Sequence, residues 1–235
     1  MSFPQIKHPT YDIKVPGTSR TEKFRPFLVR EEKLLLTARE SGETSDILKA
    51  MKQVVQNCAL SEKFNADAVP IFALEYMFLK LRAHSVDSIV HLSYRDAEDD
   101  KVRDFDVDLM GVEVEFPEKS ERVIEISDGV GLTMKYPSAA LYSDAKFLNS
   151  PPGDYLFELI LRCVESVHEG DTILEAPFDR KEFVPFLENL SVATFDKIQK
   201  FLTDTPRMRH VIVYVNDLGH ERKITLESLQ DFFTL

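Results

Sequence analysis

The chain has 235 residues, 43% of them apolar, enough for one large domain or two small ones around a real core, which excludes an intrinsically disordered protein. Charged residues make up 29% and the formal net charge is -11, so the phosphates of a nucleic acid would meet net repulsion unless a basic patch offset it. The densest basic stretch, Arg207, Arg209, His210, His220, Arg222 and Lys223, is split by apolar residues and reads as the solvated face of a hairpin, so nucleic acid is not an expected partner.

From the N-terminus, two short strands, Tyr11 to Val15 and Phe24 to Val29, are predicted around a turn at Pro16, Gly17, Thr18 and Ser19. Glu31, Glu32 and Leu34 to Leu36 open a helix whose acidic first turn suits the positive end of its dipole, and it stops near Gly42. A second helix follows Thr44. Its apolar residues Ile47, Leu48, Met51, Val54, Val55 and Cys58 fall at offsets of zero, one, four, seven, eight and eleven, one continuous stripe. A third starts near Pro70 and carries Phe72, Leu74, Tyr76, Phe78, Leu79 and Leu81, apolar on more than one side, as befits the middle of a packed unit or the underside of a partner.

Between about Ser88 and Met134 the period becomes two, with Val90, Leu92 and Tyr94 alternating against polar neighbours, then Phe105, Val107 and Leu109, then Val112, Val114 and Phe116. Asp96, Glu98, Asp99 and Asp100 read as a solvated hairpin loop, and Pro117, Gly129 and Gly131 punctuate the remaining strands. Residues 154 to 168 predict a helix capped by Asp154, with Tyr155, Leu156, Leu159, Ile160, Cys163, Val164 and Val167 on one face. Shorter helices follow Asp179, with Glu182 three residues on, and Ser191, and the latter ends by Pro206. The C-terminus reads as strand Val211 to Val215, a turn at residues 216 to 219, strand Glu221 to Ile224, and a helix capped by Thr225 carrying Leu226, Leu229, Phe232 and Phe233. The fold class is α+β: an N-terminal β-hairpin with helices (1–87), a central β-rich insert (88–136), and C-terminal helices with a terminal β-hairpin and helix (137–235), three stretches able to pack as one domain.

Cys58 and Cys163 lie inside apolar helical patterns and read as reduced core thiols, not a disulfide framework or a zinc site. The first residues lack the apolar core of a signal peptide and no run is long enough to span a bilayer, so no membrane partner is expected and the chain is placed in the cytoplasm.

Signatures for dinucleotide binding, P-loops, zinc proteases and serine hydrolases are missing. Asp96, Glu98, Asp99, Asp104, Asp106 and Asp108 lack the loop glycine and terminal glutamate of an EF-hand and are read as solvated. The pairs Glu113 with Glu115 and Glu121 with Glu125 follow the alternation of a half-exposed strand, with no sign of the cleft that paired catalytic carboxylates need. His8, His84, His91, His168, His210 and His220 have no ligand spacing, although His210 and His220 are expected near each other across the last hairpin. No catalytic residue, metal site or cofactor is assigned.

Four stretches carry a family resemblance: KFRPFLVREEKLLL at 23–36, FALEYMFLKLRAHSV at 72–86, GVGLTMKYPS at 129–138 and GHERKITLESLQDFF at 219–233. In type and order they resemble the baseplate hub subunits and hub assembly proteins of T-even-like contractile-tailed bacteriophages (myoviruses), over about residues 10 to 233. The resemblance implies a non-enzymatic role in building the hub through binding to other baseplate hub proteins. Homo-oligomerisation is compatible with it, as are assembly in the host cytoplasm and a place in the virion tail baseplate. A structural subunit and a transient chaperone are both consistent with it; a tail-associated cell-wall hydrolase is the competing class. Candidate partner-binding residues are Phe24, Arg25, Pro26 and Phe27, where a proline removes a ladder donor beside two aromatics; Tyr76 and Phe78 on the third helix; and Leu229, Phe232 and Phe233 on the last. Each aromatic has core burial as its alternative reading.

Overall fold

A hairpin opens the fold: β1 (Tyr11–Lys14) pairs antiparallel with β2 (Thr21–Phe24), Tyr11 opposite Phe24. The second strand was expected at Phe24 to Val29. It lies earlier because Phe24 turns inward onto Phe64 and the chain after it leaves the ladder to enter a helix. The computed structural model describes residue 4 and residues 6–118 and 121–232. It divides the chain into two compact units, Met1–Glu115 with Arg207–Leu235, and Phe116–Pro206. The β-rich stretch 88–136 is therefore shared between them.

In the first unit, α1 (Val29–Ser41) ends at Gly42, whose left-handed backbone (φ 71°) lets its N–H reach the carbonyl of Arg39. The stripe of α2 (Thr44–Cys58) is buried at Met51, Val54, Val55 and Cys58. Pro70 caps α3 (Ile71–Ser85), which is buried nearly all round, as its composition predicts. Only Ile71, Glu75, Arg82, His84 and Ser85 are less than fully covered.

The strands β3 (Ile89–Arg95) and β4 (Val102–Asp108) form a hairpin, and a 3₁₀ turn at Leu109–Gly111 leads to β5 (Glu113–Glu115). Lys80 of α3 holds that turn. Its ammonium is buried and donates to the carbonyls of Leu109 (3.0 Å), Met110 (2.7 Å) and Val112 (2.7 Å). The C-terminal strands complete the unit. They are β10 (Arg207–Val215) and β11 (Glu221–Leu226), followed by α8 (Leu229–Phe232), and the sheet order is β11-β10-β5. Thr225 lies within β11 and does not cap the last helix. Asp231, inside that helix, reaches back to accept the N–H groups of Glu227 and Ser228, which precede it.

The second unit is a four-stranded antiparallel sheet of β6 (Val123–Ser127), β7 (Val130–Met134), β8 (Val164–Glu169) and β9 (Thr172–Glu175), in that order. Between β7 and β8 the chain makes α4 (Ala145–Leu148) and α5 (Pro152–Cys163); after β9 come α6 (Arg180–Glu188) and α7 (Val192–Thr203). The core joins Ile124, Leu132, Met134 and Val164 of the sheet to Ile160, Phe183, Leu187, Ile198 and Phe201 of the helices. Asp179 and Ser191 cap α6 and α7 as predicted.

The helix expected over residues 154 to 168 stops at Cys163, and Pro151 is its cap, with Asp154 inside the first turn. Val164 and Val167 continue the helical spacing, yet both are β-branched and suit a strand as well, and β7 offers the ladder that fixes it. At Gly131 a Cβ would stand 2.5 Å from the His168 ring, which lies across it from the neighbouring strand, and 3.0 Å from the Ile124 carbonyl, so any larger residue there would displace that ring.

Candidate interaction surfaces

Phe24 is fully buried, its ring edge-on to Phe64 at 5.5 Å between centroids. Arg25 turns inward too, donating to the Glu31 carboxylate (2.9 and 3.1 Å) and to the carbonyls of Pro26 and Asn57. Phe27 is half-buried against Phe78, 5.6 Å between rings. Tyr76 is buried, its hydroxyl pushed up to about 12 by burial and the neighbouring Glu113. Phe232 is fully buried, Leu229 half-buried, and Phe233 lies outside the described residues. The fold thus brings Phe27 and Phe78 together, buries Phe24, Tyr76, Phe78 and Phe232, and leaves Arg25, Pro26, Phe27 and Leu229 half-buried.

The acidic loop is not solvated as expected. Asp96 is buried, accepting from the Tyr214 hydroxyl at 2.6 Å with Arg222 at 3.4 Å. Glu98 takes Asn216 Nδ2 and His220 Nδ1, each at 2.6 Å; Asp99 takes Arg103 and the Asp217 N–H; and Asp217 in turn takes Lys101 and Arg103. The carboxyls of Asp96, Glu98 and Asp99 are all held below their ordinary range, chiefly by hydrogen bonds from Tyr214, His220 and Arg103 respectively. The loop clasps the far hairpin turn, so two stretches that look like opposite solvated charges in sequence neutralise each other. His210 and His220 do not meet: His210 opposes Leu226 at one end of the hairpin and His220 sits in the turn at the other.

His91 pairs with Asp106 (2.5 Å) and Ser93 with Asp104 (2.5 Å). Glu115 pairs with Arg209 at 2.7 and 3.0 Å. Among the described residues no three His, Cys, Asp or Glu side chains converge to hold a metal ion, and no helix is long and apolar enough to cross a membrane. Cys58 and Cys163 are buried free thiols, pushed up to about 11 and about 12 by burial.

Two groups of exposed apolar residues lie on strands. On β9, Ile173 and Leu174 are 63% and 61% exposed on opposite faces. On β10, Val211, Val213 and Val215 form an exposed row. Sequence reasoning passed over both: β9 went unpredicted, and the valines were read only as strand-formers. The feature that identifies an open edge is the missing neighbour, which only topology supplies.

The family model described as "T4 bacteriophage base plate protein" matches residues 8–234. The chain belongs to that family. Searches of curated proteins and of solved structures return no match. Family membership gives this baseplate protein a structural role in the phage tail baseplate, in contact with other baseplate components.

One group on α3 gives a measurable pH signature. Burial pushes the Glu75 carboxyl up to about 7, so folding resists its ionisation. Its share of stability is full below the unfolded carboxylate value of about 4.5 and is lost as pH rises through 7. Glu75→Gln is expected to stabilise the protein at pH 8 by about 1–2 kcal/mol and to leave pH 4.5 nearly unchanged. Urea unfolding at the two pH values checks this, and equal effects at both would show that the carboxyl is not strained.

Proposed function

We propose that this baseplate protein acts at the hub, as a hub component or hub assembly factor that works through protein–protein binding and performs no turnover. The observation that carries the reading is the family match over residues 8–234, joined to the four ordered stretches that resemble hub proteins. Several of those stretches have architectural roles: Lys23–Leu36 contains the Arg25–Glu31 pair, Phe72–Val86 is α3, and Gly129–Ser138 contains β7. The hub reading places assembly in the host cytoplasm, with other hub proteins as partners.

Mass spectrometry of purified finished tails beside assembly intermediates tests it. Fixed stoichiometry in finished tails makes the protein a hub subunit; presence in hub intermediates alone makes it an assembly factor. Absence from both, or peptidoglycan degradation by the purified protein, overturns the proposal.

A further inference from the structure

The strand β6 forms one end of its sheet. Met134 N–H donates to the Arg122 carbonyl at 2.6 Å, and Ile124 opposes Leu132 two residues along the same ladder. By antiparallel alternation the peptide groups of Ile124 face β7 while those of Val123 and Glu125 face outward. No backbone partner meets those outward groups among the described residues. A groove of about 720 Å³ runs there, lined by all five residues from Glu121 to Glu125. Successive side chains of a strand point to opposite faces, so consecutive residues line one groove only along the strand's edge. The volume is that of a ligand cleft, and three of the lining residues, Val123 to Glu125, belong to β6, a strand length of roughly 10 Å, room for a short extended segment.

The other wall is α7, through Lys197, Lys200, Phe201 and Asp204, offsets of zero, three, four and seven that form one helical face. Ile124 shares the core with Ile198 and Phe201, so α7 covers the Ile124 side of the edge, and Val123 and Glu125 face the other side. Lys197 and Lys200 make no ion pair among the described residues. A strand added to β6 would therefore meet, on its α7 side, the two ammonium groups of Lys197 and Lys200 against the single carboxylate of Asp204, with the margin of Phe201 between them. On its other side lie Val123 and Glu125, where a carboxylate would be repelled.

We propose that this groove takes up an extended segment of another baseplate protein as a fifth strand. The guest's backbone bonds to Val123 and Glu125, and its α7-facing side chains are apolar over Phe201 and carboxylate at Lys197 and Lys200. This rests on the baseplate reading for its partner class, although the groove can be tested on the purified chain.

The probe is a blocked heptapeptide, Thr-Glu-Thr-Val-Thr-Glu-Thr, which presents Glu, Val and Glu on one face and threonines on the other. Titrated into the 15N-labelled full-length protein, it should shift the Val123 and Glu125 amide resonances and slow their exchange. The same peptide with Lys for Glu should bind at least tenfold more weakly, and the Lys197→Glu, Lys200→Glu double variant should invert that preference. Val123→Pro removes only an outward N–H, so it should abolish peptide binding while keeping the β6–β7 ladder; if it unfolds the unit, the charge-reversal pair decides. Unmoved Val123 and Glu125 amides at millimolar peptide, or equal binding of the Glu and Lys peptides, overturns the proposal. In assembled tails, a photo-crosslinker at Val123 should capture an acidic extended segment of a different baseplate protein. Incorporation without a crosslink, or a crosslink to a second copy, defeats the groove assignment alone, whereas absence from tails and intermediates defeats the baseplate reading.

Discussion

Glu31→Ala is expected to destabilise the first unit by about 3–5 kcal/mol, the cost of breaking a buried ion pair from one side. The Glu31 side chain is fully buried and accepts from Arg25, from Arg30 (2.8 Å) and from the Leu28 N–H (2.9 Å) at the start of α1. Removing it strands the Arg25 guanidinium beside Cys58 and uncaps the helix. Burial alone would raise the Glu31 carboxyl, but the bonds from Arg25 and Arg30 and the Leu28 N–H outweigh it and hold the group at about 2. With a lowered folded value, its contribution is present above about 4.5 and is lost as pH falls toward 2, a window separate from that of Glu75. The Arg25→Met, Glu31→Leu double variant should recover most of the loss, because it removes both charges together. Denaturant unfolding, with hydrogen exchange read across α1, checks both. A single variant within 0.5 kcal/mol of the parent would mean that the pair contributes nothing.

Lys80→Met should cost about 2–4 kcal/mol, although the substitution keeps the apolar stem and roughly the volume. The loss comes from three backbone carbonyls in and beside the 3₁₀ turn that one ammonium bonds at once; Leu109 would keep only a long bond from the Val112 N–H (3.4 Å). Because the turn delivers β5 to β10, the effect should appear as faster amide exchange at Arg207 to Arg209, the residues paired with β5. Uniform acceleration over the whole unit would point to a general packing defect. Unchanged exchange would show that the turn holds without its lysine.

The two predictions concern residues whose types were plain in sequence but whose partners were not. Arg25 stood among the candidate docking residues because it lies in a stretch where a proline removes a ladder donor beside two aromatics, as at a sheet edge. The structure turns it inward, since Glu31 six residues on offers a bidentate acceptor beneath the start of α1. Lys80 lay unnoticed in an apolar helix, because no local pattern shows which carbonyls lack donors. The acidic loop and the last hairpin, more than a hundred residues apart, likewise read as two solvated faces until the fold set one on the other.

Features with local causes were legible. The stripe of α2, the stop at Gly42, the caps at Asp179 and Ser191, the hairpin turn after Val215 and the mixed α+β class depend on interactions within a few residues, which sequence spacing encodes directly. The segment after Cys163 was not, because its valines fit both helix and strand and β7 alone chooses between them. The open edge of β6 was not legible either. Its residues alternate like any strand, and what makes it a groove is an absent neighbour on one side and α7 above, a relation between distant parts of the chain that spacing along the chain does not carry.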